Sequence, residues 1–303
     1  MIFPASGVET PLWQPPLVAF VVSYFTSMAG ISGAFLLLPY QMSCLGFTSP
    51  AVSSTNLVFN ILAIPGGVYR YLREHRMVWP LTWVVVAGTL PGVFVGGLVR
   101  VRYLPDPQMF KIFVGFVLLY LALRLLGDLL WQRDKDPTRN SAPTTDGSDW
   151  RVTIKHFTVW RLVYVFRGAE YGCSVSGVFL FSLLVGAVGG IYGIGGGSIM
   201  APFLVTIFRL PLHTIAGSTL MATFVTSVFG VAFYQWLAPG YAASELTVAP
   251  DWLLGMTLGV GGVAGIYLGA RTQRFVPARL IKAGLVLILF FVAARYLRGL
   301  IGI

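Results

Sequence analysis

Charge is scarce in this sequence. Asp, Glu, Lys and Arg make up 11% of 303 residues, where an ordinary soluble domain carries roughly a quarter. With 56% hydrophobic residues and a mean hydropathy of +0.78, too little polar surface remains to face water, which excludes a cytosolic enzyme, a nucleic-acid binder and a disulfide scaffold. Cysteine is almost missing: Cys44 and Cys173 stand in apolar stretches without a CxxC partner and read as small buried hydrophobes. His75, His156 and His213 fall at loop positions without ligand spacing, and HExxH, GxSxG and Walker A motifs are absent. No metal, cofactor or enzymatic activity is therefore expected. Gly259-Val260-Gly261-Gly262-Val263-Ala264 fits a GxGxxA pattern but follows no strand and lies within an apolar run, so it is not read as a dinucleotide site. The N-terminus has neither a basic n-region nor a small-residue cleavage site, and no removable signal peptide is expected.

What remains is an all-α polytopic membrane protein. Apolar runs bounded by Pro, Gly or charge cover 12–45, 50–69, 78–99, 107–130, 171–209, 212–236, 251–270 and 278–300. Between 131 and 170 the composition turns polar and rich in Pro, Ser and Thr, marking a linker; its last part, with alternating aromatic and Arg residues, resembles a strip at the membrane surface. The halves repeat each other. Gly30, Ile31, Gly33 and Pro39 match Gly193, Ile194, Gly196 and Pro202 at an offset of 163, Gly88, Gly92 and Gly96 match Gly261, Gly265 and Gly269 at 173, and Lys111 and Arg124 match Lys282 and Arg295 at 171. The two glycine ladders read as helix-packing surfaces.

Basic loops orient the chain. Arg70, Arg73 and Arg76 place the loop after 69 in the cytoplasm, and the basic linker 131–170 joins it. The loop 237–250 has no basic residue, while 271–279 carries Arg271, Arg274 and Arg279. This pattern suits two inverted repeats, 12–130 and 171–300, each a helical hairpin (12–45 or 171–209) plus three full spans; only Arg100 and Arg102 break the charge rule. Eight spans in parallel repeats form the alternative. In the inverted arrangement, cysteines placed in 131–170 or at 275 resist an impermeant thiol reagent from outside.

Interrupted helices in inverted repeats are a feature of secondary transporters, where half-helix N-termini aim their positive dipole ends at an anion. The hairpin tips supply such termini: Ser32, Gly33 and Ala34 in the first half, and Gly193, Gly195, Gly196, Gly197 and Ser198 in the second. A side chain added at Gly196 is expected to block the anion's approach to the backbone without preventing insertion. Polar residues early in the following spans, Thr55 and Asn56, then Ser218 and Thr219, are further candidate ligands, with Gln41, Arg124 and Arg295 as additional ones. Asn60 and Gln235 are other polar side chains within the spans. None of the eleven Asp and Glu residues lies centrally in an apolar segment, which argues against a cation transporter or carboxylate proton relay. A small anion is the expected partner, together with the lipid bilayer and no nucleic acid; a homo-oligomer is left open.

The run Gly193-Ile194-Gly195-Gly196-Gly197-Ser198-Ile199-Met200-Ala201-Pro202, its partner at 30–39, the duplicated halves and the central linker resemble the TauE/SafE family of sulfite and organosulfonate exporters over about 17–300. The resemblance implies a transporter of sulfur-containing oxyanions in the bacterial inner membrane, with Gly193, Gly195, Gly196, Gly197 and Pro202 building half of the anion site. Ser32, Ala34 and Phe35 stand where that pattern has Gly, Gly and Ser, so the first tip departs from it. An anion channel, or a membrane assembly subunit, are the alternatives.

Overall fold

A computed structural model describes residues 1–28, 31–73, 77–131, 152–166, 168–241, 246–272 and 278–300. Among these residues the fold is carried by eleven α-helices: α1 (Gln14–Met28), α2 (Ala34–Ser43), α3 (Ala51–Ala63), α4 (Pro65–Arg73), α5 (Trp79–Arg102), α6 (Pro107–Trp131), α7 (Val175–Tyr192), α8 (Gly196–Thr206), α9 (Leu212–Leu237), α10 (Trp252–Thr272) and α11 (Ala278–Leu297). Also among the described residues, seven helical stretches are long and apolar enough to cross a bilayer, α3 and α4 counting together as 51–73. The fold is an all-α polytopic bundle, as the composition requires. The expectations for Gly30, Arg76, Arg274 and position 275 lie outside the described residues, as does most of the linker.

One part of the region before α7 is not helical or loop-like. Strands β1 (Thr153–Phe157), β2 (Arg161–Phe166) and β3 (Ala169–Ser174) form an antiparallel meander. Along β2, Leu162, Tyr164 and Phe166 alternate inward and are buried, which is the period of a half-covered strand and accounts for the aromatic alternation. Tyr164 Oη lies 2.7 Å from Thr214 Oγ1, fastening the sheet to the start of α9.

Both interrupted segments double back. Across α7 and α8, Gly196 packs against Gly186, and the Phe203 ring meets Phe181 at 4.7 Å. Residue numbers rise on one arm as they fall on the other. In the first half, Gly33 packs against Ser23 and Tyr40 returns to the level of Gln14. The first contact corresponds to Gly196 against Gly186 at the offset of 163 read from the sequence.

The glycine ladders explain how each first arm is held. Backbone of Phe179, Leu183 and Ala187 in α7 lies where a Cβ would stand on Gly88, Gly92 and Gly96 of α5. Backbone of Pro16, Phe20 and Tyr24 in α1 does the same for Gly261, Gly265 and Gly269 of α10. Every pair in one set maps onto the other by the offsets 163 and 173. In both, numbers rise together, so α7 runs parallel to α5 and α1 to α10. Absence of side chains lets the backbones approach within reach of weak Cα–H to carbonyl contacts. Each half thus grips the first arm of the other.

The loops collect at two opposite poles. At one, Ala51 N donates to Thr247 O, Ser54 Oγ to Val248 O, and Ser6 N and Oγ to Asp251 Oδ2. Asp251 also caps α10 by accepting from Leu254 N. At the other, Ser218 Oγ donates to Val78 O, and the sheet meets α9.

Candidate functional site

Glycine shapes the second tip. Gly193 ends α7 in the left-handed region at φ 82°, and Gly195 opens α8 at φ 73°, ψ 147°, backbone that side chains rarely tolerate. Helix geometry leaves the N–H groups at the start of α8, on Gly196, Gly197 and Ser198, without partners inside the helix. The first tip is less open, because Ser32 Oγ accepts from Ala34 N, and Phe35 and Leu36 donate to Ser32 and Gly33 carbonyls.

The tips meet each other and share α3. Tyr192 Oη donates to Phe35 O at 2.7 Å, with the two rings edge-on at 5.9 Å. From α3, Asn56 Nδ2 donates to Ala34 O and Asn60 Nδ2 to Ile194 O, each at 3.0 Å. Ser53 Oγ donates to Ile191 O. One buried helix therefore addresses both tips with polar side chains. Gln41 reaches Asn56 Oδ1 at 3.4 Å.

On the other side stands α9. A Cβ on Gly195 would touch Thr223, Thr226 and Ser227, and Ser198 Oγ lies 3.1 Å from Thr223 Oγ1. Thr219, Thr223 and Ser227 recur every four residues, which aligns them on one helix face. That spacing is the signal in the sequence for Thr223 and Ser227, which motif reading passes over.

Several polar atoms here have no partner. Ser227 Oγ beside Gly195, Ser23 Oγ beside Gly33, Asn60 Oδ1 and Gln41 Oε1 are all buried without a hydrogen bond. Buried polar groups are nearly always satisfied, which makes these orphans candidate ligand positions.

Other candidate residues are placed elsewhere. Thr55 Oγ1 accepts from Asp251 N, and Ser218 faces Val78 at the opposite pole. Thr219 Oγ1 donates within its own helix, while its carbonyl lies against Gly197. Arg124 is half-buried beside Asp128 and Tyr120, and Arg295 is exposed. Neither joins the tips. Gly196 also serves helix packing, since a Cβ there would lie 2.6 Å from Thr89 Cγ2 and 3.0 Å from Gly186 Cα. A side chain at 196 would therefore press α8 against Thr89 of α5 as well as cover the backbone of the tip.

Two helical hairpins whose tips meet on polar helices, in a bundle of apolar helices, define a membrane transporter. The chain belongs to the sulfite exporter TauE/SafE family, whose model matches residues 16–296. It is 26% identical over 255 residues to a probable membrane transporter protein of Xylella fastidiosa strain 9a5c, covering 82% of this chain and 80% of that one. It is also 22% identical over 279 residues to the probable membrane transporter protein YjnA of Bacillus subtilis, covering 90% and 95%. No solved structure matches the chain.

Proposed function

We propose that the protein exports a small sulfur-containing oxyanion, such as sulfite or an organosulfonate, by alternating access to a site at the paired tips near the bilayer midplane. The observation that carries this reading is the pair of unpartnered hydroxyls, Ser23 Oγ and Ser227 Oγ, together with the open N-terminus of α8. Hydroxyl and backbone N–H groups donate to an oxyanion without a buried cation's cost. Carboxylates, which would repel it, are absent from the tip contacts above.

The same reading takes the halves, 12–130 and 171–300, as inverted repeats in the bacterial inner membrane. Its support is the doubling back of both hairpins combined with parallel packing of α7 on α5 and α1 on α10. A hairpin adds no crossing, so three spans per half reverse the second copy. Arg70, Arg73, Lys155, Arg161 and Arg209 lie toward the pole of the sheet, which is then cytoplasmic.

Sulfite, sulfate and sulfonate flux in proteoliposomes with the membrane potential clamped tests the proposal. Sulfite efflux is expected to saturate and to rise with inside-negative potential, which supplies about 2.3 kcal/mol per charge per 100 mV. Ser227→Ala should raise KM about tenfold or more, the worth of one hydrogen bond to a charged ligand. Unsaturable, voltage-following flux would make the protein a channel, and absence of any anion flux would end the proposal.

A further inference from the structure

Among the described residues, Arg100 is the largest fully buried side chain, at 0% exposure. It occupies the last turn of α5, at the pole opposite the sheet. Its Nη1 donates to Leu104 O and its Nη2 to Thr48 O at 3.4 Å, while Phe110 lies under the guanidinium at 3.6 Å from ring centroid to Cζ. The Nε–H is buried with no acceptor. Among the described residues no carboxylate pairs with it. A whole positive charge is thus held out of water by two carbonyl dipoles and a ring face. Burial without a counter-charge is costly, and intramembrane cations kept so are those that meet a charge during function.

Polar groups lie between this cation and the second tip. Tyr234 packs against Gly97, one turn before Arg100 in α5, and donates from Oη to Gly190 O at 3.1 Å, near the end of α7. Ser53 adjoins Tyr234 and donates to Ile191 O, and its backbone packs on Gly193. The repeat does not duplicate the charge: at the offset of 173, residue 273 is Gln.

We propose that Arg100 is a second anion-binding group, which takes the oxyanion from the tip on the side of the pole opposite the sheet, its Nε–H and adjacent Nη–H forming the fork that a planar guanidinium presents to an oxyanion. This rests on the anion reading above. Arg100 breaks the charge rule of the loops because it does not face water there; it is enclosed inside the protein.

The test is the concentration dependence of radiolabelled sulfite flux in proteoliposomes for wild type, Arg100→Gln, Arg100→Met and Arg100→Lys, with thermal unfolding of each purified variant. Losing a charged hydrogen-bonding pair should raise KM about tenfold or more in the neutral variants, with Arg100→Lys restoring it to within about threefold. Neutral variants that fold and keep the wild-type KM overturn the proposal. If both neutral variants fail to fold, Arg100→Lys decides: a KM raised about two- to threefold supports the proposal, whereas a KM equal to wild type makes Arg100 a structural clamp and overturns it. Wild type that moves no anion sinks the anion reading itself, an outcome distinct from either.

Discussion

At the residue scale, burial decides which of two similar side chains can react. Both cysteines stand in apolar sequence, yet Cys44 is exposed at the end of α2 and Cys173 is buried on strand β3 of the sheet. Burial pushes the Cys173 thiol up to about 11, so at pH 7 to 8 it stays protonated and the reactive thiolate is scarce. Maleimide labelling of the detergent-solubilised native protein at pH 7.5 should therefore modify Cys44 alone, with Cys173 reacting only after denaturation; equal labelling of both would contradict this burial. The same contrast separates the arginines. Arg124 and Arg295 draw attention in the sequence because they lie in apolar runs, whereas Arg100, close to a helix end, is the one enclosed by protein. Enclosure depends on which neighbours arrive from elsewhere in the chain, here Thr48 and Phe110, and local hydrophobicity does not report it.

At the element scale, periodic glycine was legible and its partner was not. Glycine every fourth residue in α5 and α10 announces a flat helix face, as expected for close packing. That each ladder receives the first arm of the opposite half follows only from the assembled chain. Equivalence of the two contacts gives a prediction: Gly92→Leu and Gly265→Leu should destabilise by similar amounts, about 3 kcal/mol or more, because each forces a side chain onto a backbone carbonyl. Thermal unfolding of the two variants checks it, and a loss confined to one would show the two grips to be unequal. The tips were readable too, through Gly193 and Gly195. The polar wall was not, since Thr223, Thr226 and Ser227 look like ordinary hydroxyls inside a span until Gly195 is packed against them. The sheet before α7 was hidden for another reason: its strands are short, and only β2 has a buried face.

At the scale of the whole molecule, topology follows from the two poles. With the sheet cytoplasmic, an impermeant maleimide on intact cells should label native Cys44, while a cysteine at exposed Val159 (75% exposed) should react only after permeabilisation. The reverse pattern would invert the assignment. Composition, hydropathy and glycine spacing determined by themselves that the chain is a bundle of membrane helices with two broken segments, because each of these properties is local or periodic and is written in residues close in sequence. Tertiary structure decided that the broken segments turn back, that they are clasped by each other's half, that Asn60 and Ser227 stand at the tips, and that Arg100 is enclosed at one pole. Those outcomes depend on contacts between residues far apart in the chain, such as Asn60 with Ile194. No local pattern encodes them, since a hydroxyl or guanidinium acquires its role from what encloses it.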